Sequence, residues 1–70
     1  MKIREELKNL VGKKVTVKIK GDDGYYYNDM VNEKFTEDDV NYYEEFLQNS
    51  YLYGIDYCNI NNIYIVEIHE

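Results

Sequence analysis

Apolar side chains recur along this chain in two rhythms. Ile3, Leu7 and Leu10 fall at i, i+4 and i+7, the one-face spacing of an amphipathic helix, so a short helix is predicted over 2–10. Gly12 follows as a stop. Glu5 and Glu6 sit near the positive end of that helix and Lys8 nearer its negative end, as the macrodipole favours. From Lys14 to Lys20 the rhythm becomes strict alternation, with Val15, Val17 and Ile19 against Lys14, Thr16, Lys18 and Lys20, which is the pattern of a half-buried strand. Gly21-Asp22-Asp23-Gly24 supplies turn chemistry, and Tyr25-Tyr26-Tyr27 has high strand propensity. A β-hairpin over 14–31 is predicted.

The helical rhythm returns after residue 36. Thr36 is a capping residue, Asp39 stands where a capping box wants an acid, and Phe35 and Val40 occupy the hydrophobic-staple positions. Val40, Tyr43 and Leu47 form the apolar stripe with Phe46 beside it, while Glu37, Asn41, Glu44 and Gln48 lie outside with Asp38 and Glu45 flanking. A helix over 37–49 is predicted. Tyr51–Cys58 reads as a strand bent at Gly54, Asn59, Asn61 and Asn62 as a turn, and 62–69 as a last strand. That last strand is apolar on both faces, which suits a central position covered on each side, or a place in a small barrel. The order is αββαββ: one small α+β domain on an antiparallel sheet.

Length and composition narrow the function. Seventy residues leave room for one domain and for little pocket-forming chain. A lone cysteine, Cys58, and a lone histidine, His69, exclude an internal disulfide and a zinc site, and a single thiol suits a reducing compartment. No run of about 18 apolar residues is present, and no apolar stretch follows the first charges, so the expected location is the cytoplasm. Phe, Tyr, Met, Ile, Asn and Lys make up half the chain, and Ala and Pro are absent, the imprint of AT-rich codons. A low-GC bacterium, its phage or a mobile element is the implied source.

Charge is divided along the chain. Residues 1–20 hold seven bases and two acids; residues 21–70 hold one base and twelve acids, within a net charge of −6. An acidic body repels phosphates and attracts basic surfaces. Catalytic signatures are missing. The Cys58–His69 thiolate pair would need the last two strands to bring the two together, whereas Cys is ordinarily a small buried hydrophobe and His69 stands beside the chain end. No phosphate-binding glycine loop is present, and Asp22-Asp23-Gly24 is too short for a calcium loop. No catalysis, cofactor or metal is expected. Nine tyrosines exceed what one small core hides, and tyrosine is favoured at interfaces.

Two functional classes remain. In size, acidity and inferred source, the chain is similar to phage-encoded anti-defence proteins, the anti-CRISPR and anti-restriction nucleic-acid mimics. That resemblance implies a protein partner with a basic surface, a host nuclease or CRISPR effector, met by a monomer or homodimer with no direct nucleic-acid contact. Asp22, Asp23, Asp29, Glu33, Glu37, Asp38, Glu44 and Glu45 would supply carboxylates in place of phosphates, with Tyr26 and Tyr42 filling the gaps. The second class starts from Leu7–Val17 and Asn62–Ile68, which resemble the opening helix-and-strand and the closing strand of Sm-like and SH3-like small barrels. That resemblance implies a barrel with an N-terminal helix and a module that binds RNA or self-assembles, and the lysine ridge of Lys14, Lys18 and Lys20 with Thr16 would serve it.

Overall fold

A computed structural model describes residues 3–70. The elements follow the expected αββαββ order: α1 (Ile3–Lys8), β1 (Lys14–Lys20), β2 (Tyr26–Lys34), α2 (Glu37–Phe46), β3 (Tyr51–Cys58) and β4 (Ile63–His69). The expected start of α1 at Lys2 lies outside the described residues. Where the barrel resemblance calls for strands, α2 forms instead, and the four strands make one sheet in the order β2-β1-β4-β3.

Local chemistry accounts for the element ends. Thr36 accepts from the Asp39 amide, and the Asp39 carboxylate accepts from the Thr36 amide, closing the capping box at the head of α2. α2 is shorter than the apolar stripe because its tail tightens: Gln48 and Asn49 donate to Glu45 and Phe46, three residues back. Gly12, at φ +87°, takes the chain from α1 into β1 in a conformation that a side chain would strain. The Gly12 amide donates to the Phe35 carbonyl and the Phe35 amide to the Lys13 carbonyl, so the α1–β1 corner is tied to the entry of α2.

Both hairpins are antiparallel, as expected, but β1 and β4 pair in parallel, so the sheet is mixed rather than wholly antiparallel. The reason is the path between the hairpins. α2 carries the chain back along the sheet, so β3 starts in the direction of β2 and β4 ends in that of β1. β4 is central as expected, but the helices cover one of its faces rather than both, because both pack on the side of Val66 and Ile68.

Both helices cover one face. Val15, Val17 and Ile19 of β1 and Val66 and Ile68 of β4 meet Leu7, Leu10, Val40, Tyr43 and Leu47 in a single core, with Phe35 fully buried among them. β2 contributes little, since Met30 is its one buried residue. It is bulged: Asn32 takes φ 50°, its amide donates to Thr16 Oγ1 and its Oδ1 accepts from the same hydroxyl. A bulged, polar edge strand discourages pairing with other chains.

Candidate functional site

The acidic side of the molecule is built on α2. Its ten residues include Glu37, Asp38, Asp39, Glu44 and Glu45 and no base. Burial of Val40, Tyr43 and Leu47 turns Asp38, Tyr42 and Glu45 outward together, at i, i+4 and i+7, with Glu37 and Asn41 beside them. Tyr42 is exposed and held edge-on by Tyr43, with centroids 4.8 Å apart and planes at 86°. Next to it lies a surface concavity lined by Tyr42, Glu45, Phe46, Gln48 and Glu70.

Several carboxylates already hold the fold. Asp39 caps α2. Glu44 pairs with Arg4 of α1 at 2.7 Å, an exposed bridge of small energetic weight. Asp29 accepts a 2.7 Å bond from the Tyr43 hydroxyl, which lies on the helix side of the sheet. Glu33 stands opposite Val15, on that same side. The structure therefore brings Asp29, Glu33, Glu37, Asp38, Glu44, Glu45 and Tyr42 to one side of the molecule. It does not bring Asp22, Asp23 or Tyr26 there. Asp22 and Asp23 lie in the β1–β2 turn, where Asp23 accepts from the Tyr25 amide. Tyr26 is aligned with Lys20, whose neighbours Lys14, Thr16 and Lys18 point away from the helices. The row of eight acids is thus a smaller patch centred on α2.

Tyr43 carries a measurable consequence. Burial, then the bond to Asp29 and the charge of Asp29, raise its phenol pKa well above the ordinary 10.0. The fold favours the protonated phenol, so this contribution is full below pH about 10 and is lost as pH rises beyond it. Tyr43→Phe is expected to cost about 1 kcal/mol through the lost bond and to flatten the alkaline decline of stability. Urea unfolding between about pH 8 and 11 measures both, and an unchanged slope would show that Tyr43 does not drive the decline.

The lysines of β1 occupy the opposite, uncovered face. Reading across the sheet at one end, Tyr26, Lys20, His69 and Tyr51 are consecutive register neighbours. In the next row Asn28, Lys18, Glu67 and Gly54 follow in the same way. His69 Nε2 lies 2.7 Å from Glu67 Oε2, its Nδ1 lies 3.2 Å from the Tyr51 hydroxyl, and Tyr53 stacks on its ring at 4.1 Å and 8°. The Tyr26 hydroxyl also donates to Glu67. The bond to His69 comes first in holding the Glu67 carboxyl below its ordinary pKa, ahead of that from Tyr26 and the nearby Lys18 charge.

This cluster is invisible in the sequence, because its members come from four strands whose pairing no local pattern specifies. The alternative grouping, Cys58 with His69, does not form. β3 and β4 do pair, but their antiparallel register sets Cys58 opposite Ile63 and His69 opposite Tyr51, at the two ends of β3. Among the described residues, no group of three or more His, Cys, Asp and Glu side chains is placed to hold a metal ion, and no helix is long and apolar enough to cross a membrane. No known protein family, curated protein or solved structure matches the chain.

Proposed function

We propose that this protein is an acidic inhibitor that captures a basic, nucleic-acid-binding protein through the α2 side, its carboxylates standing where the target receives phosphates. One observation carries the reading: the α2 acids and the β1 lysines lie on opposite sides of the sheet. The β1 lysines point away from α2, and among the described residues the ion pair that reaches α2 is Arg4–Glu44. Glu37, Asp38 and Glu45 therefore keep their field outward. Side chains one helical turn apart are roughly 6 Å from each other, a spacing close to that of successive phosphates on one strand. Tyr42 between them is an exposed aromatic of the kind that anchors interfaces. The anti-defence class fits this design, with a restriction nuclease or CRISPR effector as target.

The test is capture by immobilised protein from a low-GC bacterial lysate, with duplex DNA as competitor. The wild-type chain is expected to retain a nucleic-acid-binding protein that added DNA displaces. Glu37→Lys, Asp38→Lys and Glu45→Lys together are expected to abolish retention while leaving a cooperative unfolding transition, its midpoint lowered by no more than about 10 °C, because all three are exposed and the cost is the loss of two acids from the first turn of α2. Glu44 is left in place so that the Arg4 bridge is not disturbed. Retention that survives the triple change, or that DNA does not displace, removes α2 as the site.

A further inference from the structure

We propose that the uncovered face of the sheet is a binding platform for single-stranded nucleic acid, separate from the α2 surface and independent of the reading given to it. Three features of that face converge.

The first is its aromatic content. Tyr26, Tyr51 and Tyr53 remain 49%, 53% and 63% exposed, although they lie over a sheet. Tyr53 and His69 are stacked nearly parallel. Strands about 4.8 Å apart carry Tyr26, Lys20, His69 and Tyr51 straight across the sheet. Unstacked bases bind such rings through their π-faces, whatever the base.

The second is charge. Lys14, Lys18 and Lys20 share the outward face of the central strand β1, Lys18 and Lys20 about 6.6 Å apart and Lys14 about 13 Å from Lys18 with Thr16 between them, and Lys34 stands opposite Lys14. The carboxylates on this face are Glu67, hydrogen-bonded by His69 and Tyr26, and Asp56, and Asp22 stands at the Lys20 end, so the positive charge is concentrated along β1 rather than spread over the face. The Nζ atoms of Lys18 and Lys20 sit 5.0 and 5.9 Å from the Tyr26 ring centroid, so stacking and phosphate-binding groups are side by side. The acids of α2 do not cancel this field. They stand on the helix-covered side of the sheet, across from the lysines, and the screening length at physiological salt is about 8 Å.

The third is an opening in the floor. Gly54 faces Glu67 in the register, at the bulge that brings Tyr53 onto His69. A Cβ placed on Gly54 meets no atom within 4 Å, and its φ is not in the left-handed region. Neither backbone strain nor packing demands glycine there. A bare strand position beside an exposed ring is where a ligand approaches the backbone closely.

Single strands, rather than duplexes, fit a flat face whose rings need accessible bases. The experiment is fluorescence anisotropy with labelled oligo-U, oligo-dT and a matched duplex, each of about 12 nucleotides, on the full chain. Saturable binding of a single strand, weakened by salt and stronger than that of the duplex, is expected. Tyr26→Ala with Tyr53→Ala should weaken it roughly tenfold or more. Lys18→Glu with Lys20→Glu should abolish it and Gly54→Leu should block it, with midpoints of thermal unfolding near wild type for Gly54→Leu. The α2 triple change to lysine should retain it. Preference for uridine or thymidine strands separates RNA from DNA without bearing on the platform itself. Absence of saturable binding up to about 100 µM, equal affinity for the duplex, or full binding by both Gly54→Leu and the double tyrosine variant overturns the proposal.

Discussion

Phe35→Ala is expected to leave the domain at the edge of unfolding. The Phe35 ring is fully buried and lies 5.9 Å from that of Tyr43, nearly parallel to it, between the sheet and α2. Truncating such a ring costs about 3–5 kcal/mol, through lost transfer energy and the cavity left behind. The whole domain has on the order of 4–10 kcal/mol, at roughly 0.05–0.15 kcal/mol per residue. The main-chain bonds of Phe35 to Gly12 and Lys13 survive in the variant, so the loss reports the ring alone. Urea unfolding gives the free energy, and the thermal midpoint should fall by at least about 12 °C. Phe46→Ala, at a half-buried ring, should cost clearly less. A loss below about 1 kcal/mol at Phe35 would mean that its ring is not in the core.

The second large effect is a gain. Thr16 and Ile65 are register partners in the parallel β1–β4 pair, on the uncovered face. Thr16→Cys with Ile65→Cys, in a Cys58→Ser background, should form a disulfide under mild oxidation, because neighbouring strands place Cα atoms about 4.8 Å apart. The bond closes a loop of roughly 50 residues, so the oxidised form should be about 4 kcal/mol more stable than the reduced form. Comparing two redox states of one variant cancels the lost Thr16–Asn32 bonds. Two thiols that stay free under oxidation would contradict the parallel register. They are the expected result if β1 and β4 run in opposite directions.

The elements themselves were readable because each is encoded by neighbours in the chain. The capping box of Thr36 and Asp39, the burial of Phe35 and Val40 on either side of it and the alternation of β1 are short-range patterns, and each appears where the spacing puts it. The parallel join was not readable. It depends on the direction in which α2 returns the chain, which no residue within a hairpin records. The candidate site divided in the same way. Exposure of Glu37, Asp38, Tyr42 and Glu45 follows from helical periodicity. The removal of Tyr26 from that group follows from register: one residue of shift along β2 exchanges the faces of every side chain, and the two irregularities in its pairing with β1 lie beyond local pattern.

From the sequence alone came an acidic α+β chain with a basic first strand, two helices and four strands in order, since side-chain periodicity and capping act over a few residues. Tertiary structure alone decided that the acids of α2 and the lysines of β1 would face opposite ways. Both helices pack on the face that buries Val15, Val17 and Ile19, and the pleat sends Lys14, Lys18 and Lys20 to the other. Charge that looks divided along the chain is thereby divided across the molecule, because the sheet that pairs the strands also separates their two faces.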